Sequence, residues 1–211
     1  MRTLAAVLFL LTSLSSGSFS QQLNMDVLYL DGRDGYVQLP NGLTDRLSSA
    51  TIEAWVKWEK FNNWSRVFDF GRKGNAIVVQ NEKKKATLNY RIWDRGGKQH
   101  GTQAKKIVAT GAWAHVAVTA GPRGMKIFIN GSLVDEDSYT GGPDVTSGGQ
   151  NYIGRSNWPK DKLFQGYVSE FRVWNRQRSV TEIREYMRRL LSGNEEGLVG
   201  YWRLNTVEGN E

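Results

Sequence analysis

Short runs of alternating apolar and polar residues follow one another from Asp26 almost to the end of the chain. The clearest run is 51–58, in which Ile52, Ala54, Val56 and Trp58 occupy every second position. Because successive side chains of a strand point to opposite faces, this run predicts a β-strand with one apolar face. Further runs predict strands in the same way, at 36–39, 67–70, 76–80, 86–93, 112–120, 125–129, 164–174 and 198–204.

One segment near the C-terminus has helical spacing instead. Ser179 and Glu182 have the spacing of a capping box, which predicts the start of a helix. Apolar residues follow at helical intervals at Ile183, Tyr186, Met187 and Leu190. About a dozen strands and one helix suit two packed antiparallel sheets. We therefore expect an all-β, two-sheet antiparallel sandwich with one short helix near the C-terminus.

The first 20 residues predict a secretory signal peptide. Arg2 gives a positive start, residues 4–11 are apolar, and Ser18 and Ser20 suit cleavage after Ser20. A membrane anchor is the alternative, but the apolar run is shorter than the roughly 20 residues that a spanning helix needs. We therefore expect no transmembrane segment, and a single secreted, extracellular domain at 21–211.

Composition restricts the partners of this domain. The chain has no cysteine, so the core alone must hold the fold in an oxidising compartment. A net charge of +7 favours anionic partners, which outside the cell are acidic polysaccharides or lipid surfaces rather than nucleic acid. The alternative is that the excess charge only maintains solubility. Two sequons make Asn63 and Asn130 candidate glycosylation sites.

Several stretches, taken in order, resemble one known family. They are 30–37, 51–58, 113–118 with 127–131, 166–175 and 197–205. Together they resemble the laminin-G-like and pentraxin-like jelly-roll domains of the concanavalin A-like lectin/glucanase superfamily. The resemblance implies a jelly-roll sandwich whose face or rim loops bind carbohydrate, lipid or protein. It does not specify the function, because this fold carries many functions.

The residues do not favour an enzyme. Hydrolases of this superfamily carry several carboxylates on one strand, whereas Glu53 has no carboxylate two or four residues away. Residues 135–137 are all acidic, but we expect them after a turn rather than on an alternating face. The only histidines are His100 and His115, and His115 lies in an apolar run that favours a packing role.

The resemblance also implies calcium sites. Pentraxins hold two calcium ions, but the matching positions here are Gly74-Asn75 and 155–157, where Gly, Arg and Ser replace the carboxylates that calcium needs. We expect no such pair. A single structural calcium near the chain ends would use Asp31, Asp34 and Asn205; the alternative is that Asp31-Gly32 only forms a turn.

Tryptophans divide into two groups. Trp55, Trp113, Trp174 and Trp202 lie in the family-like strands and are expected in the core. The others with basic neighbours lie among turn residues and can stack on sugars. The candidate ligand contacts are Trp64, Arg66, Asn75, Trp93, Arg95, Arg155, Asn157, Trp158 and Lys160.

Basic residues crowd the middle of the chain, at 72–73, 83–85, 91, 95, 98 and 105–106. They predict a sulfate-binding patch if their hairpins share a rim, or else solvated hairpin tips. The leading hypothesis is a lectin-like domain for extracellular glycans or glycoproteins, including acidic or sulfated ones. The alternative is an adhesion or matrix module that binds a protein. The sequence indicates no oligomeric state.

Overall fold

The computed structural model describes residues 26–146 and 148–204, in which two antiparallel sheets pack face to face. Sheet one contains β1 (Leu28–Asp31), β3 (Ala50–Lys60), β8 (Trp113–Ala120), β9 (Met125–Ile129), β10 (Ser132–Asp137), β12 (Gln165–Trp174) and β13 (Leu198–Trp202). Sheet two contains β2 (Val37–Leu39), β4 (Arg66–Arg72), β5 (Asn75–Asn81), β6 (Thr87–Trp93), β7 (Gln99–Lys105) and β11 (Gln150–Ile153). A 3-10 helix (Pro143–Thr146) and helix α1 (Val180–Tyr186) complete the fold.

Strand order in the two sheets confirms the predicted jelly-roll sandwich. Sheet one runs β1-β12-β3-β8-β9-β10, and β13 pairs with β12 beyond the end of β1. Sheet two runs β2-β11-β4-β5-β6-β7. The signal peptide predicted at 1–20 and the predicted calcium ligand Asn205 lie outside the described residues.

The core lies between the inner faces of the sheets. Ile52, Val56 and Trp58 point inward from β3, as their alternation predicts, and are 2% exposed or less. Across the core, Phe68 and Phe171 pack edge to face with ring centroids 5.9 Å apart. Each such buried side chain contributes roughly 1.5–3 kcal/mol, so this layer can hold a domain that has no disulfide.

Helix α1 covers the outer face of sheet one. Its N-cap is Ser179, whose side chain accepts a hydrogen bond from the Glu182 amide, while the Glu182 carboxylate accepts one from the Ser179 amide. The predicted capping box is therefore confirmed. Glu53 and Trp55 point toward this helical segment and are 1% and 4% exposed, so the first half of β3 is buried on both faces.

Strands β1, β7, β10 and β11 are not among the strands predicted from alternation. Residues 135–137 do follow a turn, but they end strand β10, so the expectation that they do not lie on a strand was wrong. The Asp135 carboxylate accepts a hydrogen bond from the Gln103 amide at 2.8 Å, and Asp137 accepts one from Gly101 at 3.4 Å. Carboxylates of sheet one thus bind the free edge of β7 in sheet two. Within the described ranges, no helix is long and apolar enough to cross a membrane.

Candidate functional site

A loop of residues 155–161 folds back over the outer face of sheet two. Asp69 on β4 and Val78 on β5 are paired neighbours that point outward, yet both are 0% exposed. Outward side chains of a sheet reach solvent unless another segment covers them. This loop covers Asp69 and contacts it through several hydrogen bonds.

Asp69 anchors the loop. Its Oδ2 accepts hydrogen bonds from Arg66 Nε at 3.1 Å and from the Asn157 backbone amide at 3.1 Å. Its Oδ1 accepts one from Asn157 Nδ2 at 2.8 Å. Burial raises the pKa of the Asp69 carboxyl, while Arg66 and Asn157 oppose that effect. A buried carboxylate with this many donors fixes the backbone that supplies them.

Arg66 connects Asp69 to the loop's own acidic residue. Its Nη2 lies 2.8 Å from Asp161 Oδ2, and the Ser156 hydroxyl donates to the same oxygen at 2.9 Å. The Arg66 side chain is only 4% exposed. Arg66, predicted as a ligand contact, therefore lies beneath the loop and holds it in place.

Two of the predicted tryptophans come together on this surface. The rings of Trp93 and Trp158 lie 5.1 Å apart, and the Arg66 guanidinium lies 5.1 Å from the Trp158 ring. Both tryptophans are partly exposed. Because the loop that carries Trp158 is fixed by Asp69, the ring has a defined position from which to stack on a ligand.

An open cleft of about 520 Å³ lies beside this loop. The Arg155 guanidinium lies 4.5 Å from the Tyr36 ring and 5.0 Å from the Tyr152 ring, and these two rings meet edge to face at 5.6 Å. Trp158 forms part of the wall. The cleft thus combines flat apolar surfaces with a cation, which is the chemistry that sugars and their acidic substituents need.

Arg155 has no ion-pair partner among residues 26–146 and 148–204. Asp161 also lines the cleft, but Arg66 already pairs with it, and Asp34 lies at the exposed rim. A guanidinium stacked on aromatic rings keeps its hydrogen-bond donors free for a carboxylate or sulfate. The Asn157 side chain, in contrast, already donates to Asp69 and to the Gln150 carbonyl.

The remaining predicted contacts do not line the cleft. Trp64 is half-buried, with its amide bonded to the Lys83 carbonyl at 3.1 Å, and Lys160 is exposed. Asn75 donates to the Asp94 carbonyl at 2.8 Å, and Arg95 pairs with Asp144 at the surface. Asn75 and Arg95 therefore lie at the end of sheet two where β4–β5 and β6–β7 turn.

Basic residues of the middle segment do not share one rim. The turns that carry 72–73 and 95–98 lie side by side, as the bond from Asn75 to Asp94 indicates. The turn with 83–85 lies at the opposite end of β5, where Lys85 pairs with Glu82. The alternative of solvated hairpin tips therefore describes residues 83–85.

Tyrosines 36 and 152 were missed by the sequence reasoning, which considered tryptophans alone. Tyr36 begins an alternating run and Tyr152 lies in β11, a short strand with little apolar pattern.

Four tryptophans were expected in the core. Of these, Trp55 and Trp174 are buried, and Trp202 is partly buried against the core. Trp113 is partly exposed on the outer face, so its placement in the core was wrong.

Ionisable groups beneath α1 do not form a second open site. Glu53 Oε1 accepts hydrogen bonds from Trp174 Nε1 at 2.9 Å and Arg178 Nη1 at 3.1 Å. His115 Nε2 lies 3.6 Å from Glu53 Oε2, and Arg172 pairs with Glu170. All these side chains are at most about 1% exposed, so a substrate cannot reach them. The expected packing role of His115 agrees with this burial.

The predicted calcium ligand Asp31 holds a turn in the described chain. Its Oδ1 accepts from the amides of Arg33, Asp34 and Gly35 at 2.8, 3.3 and 3.4 Å. The Arg33 amide is the main cause that lowers the pKa of Asp31. This is an aspartate-capped turn. In the described ranges no cluster of three acidic or histidine residues suits a metal, so the calcium site remains a prediction.

The two sequons differ in accessibility. Asn130 is exposed at the turn between β9 and β10, and its Oδ1 accepts a hydrogen bond from the His115 amide at 2.8 Å. Asn63 is half-buried, and Ser65 of its sequon is buried against Asn81. Asn130 is therefore the more accessible acceptor in the folded chain.

Comparisons with known proteins agree with this architecture. The family model described as the concanavalin A-like lectin/glucanases superfamily matches residues 31–184. A Bacteroides ovatus protein described as carbohydrate-binding is 22% identical over 89% of this chain and 50% of its own, with a TM-score of 0.62. This chain thus spans about half the length of that protein. No curated protein matches the chain.

Two further solved structures are similar. Domain 4 of the Geobacillus stearothermophilus arabinanase AbnA, in complex with arabinotriose, is 19% identical over 75% of this chain and 80% of its own, with a TM-score of 0.57. A heptameric SAP-like pentraxin from Limulus polyphemus is 15% identical over 75% and 79%, with a TM-score of 0.56. At these identities the likeness establishes the fold. With a family model that covers most of its length, the chain belongs to the concanavalin A-like lectin/glucanases superfamily, as a laminin G-like jelly-roll domain.

Proposed function

We propose that this protein is a secreted module that binds extracellular glycans, acidic or sulfated ones included, in the cleft formed by Tyr36, Tyr152, Arg155 and Trp158. It binds the saccharide without transforming it. The observation that carries the proposal is Arg155, whose guanidinium packs over the rings of two tyrosines and has no ion-pair partner among the described residues. The proposal is also supported by two proteins of similar fold, one described as carbohydrate-binding and one in complex with arabinotriose.

The binding mode follows from the cleft's composition. The apolar face of a pyranose stacks on an aromatic ring such as Trp158, while its carboxylate or sulfate accepts hydrogen bonds from Arg155. Binding without turnover fits the position of the carboxylates. Asp161 pairs with Arg66 and Asp69 is fully buried, which leaves Asp34 as a single exposed carboxylate at the cleft, whereas glycoside hydrolysis normally uses two.

A glycan array tests this proposal. We expect capture of acidic or sulfated saccharides, with affinity that falls as salt is raised because the contact with Arg155 is screened. Arg155→Ala and Trp158→Ala should each weaken binding about tenfold, as loss of a charge-assisted or stacking contact does. Lys98→Ala, an exposed cation at the other end of sheet two, is the matched control and should bind normally. Absence of any saccharide ligand at physiological salt would contradict the proposal.

A protein partner is the second candidate, and one observation favours it. A groove of about 430 Å³ lies between α1 and β9–β10, with Phe128 and Val180 in its lining and Leu133 46% exposed. Exposed apolar surface of this kind often binds protein. If a partner is still captured after all glycans are removed, and if Leu133→Asp abolishes that capture, protein binding is favoured over glycan binding.

Secretion has its own test. Expression of the full chain in a secreting host should release protein into the medium with Gln21 at its N-terminus, because cleavage after Ser20 removes the leader. Retention in the cell with an intact N-terminus would contradict an extracellular role.

We also propose that calcium, if bound near Asp31, Asp34 and Asn205, stabilises the fold rather than the ligand. A chelator should then lower the melting temperature modestly, and calcium should restore it, while glycan capture stays intact. Capture that disappears in chelator at an unchanged melting temperature would show instead that calcium bridges the ligand.

A further inference from the structure

A row of aromatic residues crosses the outer face of sheet one, away from the cleft. Strand pairing places Tyr29 of β1 opposite Tyr167 of β12, Tyr167 opposite Lys57 of β3, and Lys57 opposite Trp113 of β8. Residues that share a register position and alternate away from the core lie on one face. These four residues, which we name the aromatic row, therefore form a straight line across four strands.

The three rings of the aromatic row lie close together. The ring centroids of Tyr29 and Tyr167 are 4.9 Å apart, and those of Tyr167 and Trp113 are 6.3 Å apart. Lys57 Nζ lies over both rings, 4.2 Å from the centroid of Tyr167 and 5.6 Å from that of Trp113, so the lysine packs against these aromatic side chains. Neighbouring ring planes are tilted by 43° and 53°, so the three side chains form a contiguous, stepped aromatic strip.

The aromatic row is open to solvent, whereas the next row along the strands is covered. The next outward-facing pair consists of Trp55, two residues before Lys57 on β3, and His115, two residues after Trp113 on β8. This pair lies under the helical segment, where Trp55 Nε1 donates to the Met187 carbonyl at 2.8 Å. In the aromatic row Tyr29 is 42% exposed, and Tyr167 and Trp113 are partly exposed. Helix α1 therefore ends its cover of sheet one where the aromatic row begins.

The rings of the aromatic row contact one charged side chain of each sign. Glu59 accepts a hydrogen bond from the Tyr29 hydroxyl at 2.9 Å, and this bond is the main cause that raises the pKa of Tyr29. Lys57 supplies one positive charge and Glu59 one negative charge, on a protein whose overall charge is +7. An anionic ligand has stronger attractions elsewhere, so this strip suits an uncharged partner.

We propose that the aromatic row is a second glycan-binding site, which takes the flat faces of consecutive sugar residues in an extended, neutral polysaccharide. The ring spacings are of the order of one sugar residue, so neighbouring pyranoses can stack on neighbouring rings. Lys57, Glu59 and the Tyr29 hydroxyl lie where equatorial hydroxyl groups would accept or donate hydrogen bonds. The site lies on a different sheet from the Arg155 cleft and does not depend on that cleft's ligand.

Depletion from suspensions of cellulose, chitin and insoluble xylan tests the proposal. The full chain should be captured by at least one of the three. Capture should persist at about 1 M salt, because ring stacking is not screened as ion pairs are. Combined Tyr29→Ala, Tyr167→Ala and Trp113→Ala should abolish capture, and Tyr29→Ala alone, at an exposed position of an edge strand, should weaken it about tenfold.

Arg155→Ala is the matched control, because it disables only the cleft and should leave capture by the polymer unchanged. Circular dichroism and the melting temperature establish that each variant is folded, and Tyr29→Ala keeps the test decisive if the triple variant does not fold. Three outcomes would overturn the proposal: no capture by any polymer, undiminished capture by folded Tyr29→Ala, or loss of capture in the Arg155 variant. Each outcome is independent of whether the acidic glycans of the array bind to the cleft.

Discussion

Both sheets bury a carboxylate on their outer face, and the two environments differ in what the carboxylate holds. Asp69 on sheet two fixes the irregular loop 155–161 through Arg66 and Asn157, and its network reaches the surface at Asp161. Glu53 on sheet one binds Arg178 and Trp174 beneath α1, where both side chains are buried. One network positions a loop beside an open cleft, and the other closes a face.

This difference indicates how a sheet without disulfides can support two kinds of cover. A buried carboxylate needs several donors, so the segment that supplies them becomes part of the folded unit. Where the donors come from a helical segment, the cover is sealed and the gain is stability. Where they come from a loop, the same chemistry fixes side chains such as Trp158 in positions that solvent and ligand can reach.

The largest effect should come from Glu53→Gln. It leaves Arg178 buried without its carboxylate, and breaking such a pair costs about 3–5 kcal/mol of unfolding free energy. Chemical denaturation measures the loss. Glu185→Gln, which removes an exposed carboxylate of α1, should change stability by less than about 0.5 kcal/mol. Equal effects of the two changes would show that the sealed network does not stabilise the fold.

Asp69→Asn should have a smaller effect on stability and a larger one on the loop. Arg66 keeps Asp161 as a partner, so we expect a loss of about 2 kcal/mol, typical of hydrogen bonds to a charged group. Limited proteolysis should cut within 155–161 faster, and saccharide affinity should fall. Asp34→Asn changes an exposed carboxylate of the same cleft and should leave the cleavage rate as it is. An intact loop in the Asp69 variant would refute its anchoring role.

Acid should destabilise the sealed network through His115. Burial lowers the pKa of His115 to about 3 from 6.5, with Arg172 and Arg178 adding to the effect, while Glu53 faces the ring. Below pH 6.5 the unfolded chain binds a proton that the folded chain does not. Stability should therefore be complete above pH 6.5 and fall by about 2 kcal/mol between pH 6.5 and 5. Denaturation midpoints across this range measure it, and a His115→Gln variant with the same slope would disprove the assignment.

The smallest effect should come from the helix cap. Ser179→Ala removes the acceptor for the Glu182 amide and should cost about 1 kcal/mol. Ser192→Ala, outside the helix, serves for comparison. Because α1 covers Glu53, the Ser179 variant should also exchange the Trp174 indole hydrogen faster, as hydrogen exchange by NMR would record. Unchanged exchange would mean that the cover does not depend on the cap.

Much of the fold could be predicted from the sequence because its signals are local. Alternation in 51–58 and the capping box at Ser179 depend on neighbouring residues, and both are confirmed. Strand β7 was missed because its residues, 99–105, are mostly polar and show little apolar alternation. The burial of Glu53 could not be predicted from the local sequence either, because its partner Arg178 lies 125 residues further along the chain.

The site was predicted in part for the same reason. Trp93, Arg155 and Trp158 could be recognised because a loop tryptophan or arginine with polar neighbours is unusual locally. Tyr36 and Tyr152 could not, because only the pairing of β2 with β11 brings their rings together. Trp113 has a strand-like context, and its exposure depends on where α1 stops covering the sheet.

The bonds from Asp135 and Asp137 to the edge of β7 have a consequence for colloidal behaviour. An exposed strand edge offers amides on which another molecule can add a strand, and long runs of such additions grow into fibrils. Here two of those amides, of Gln103 and Gly101, already donate to carboxylates of the same molecule. A second copy would have to displace charged groups before pairing, so this edge resists intermolecular strand addition even at the high concentrations of storage.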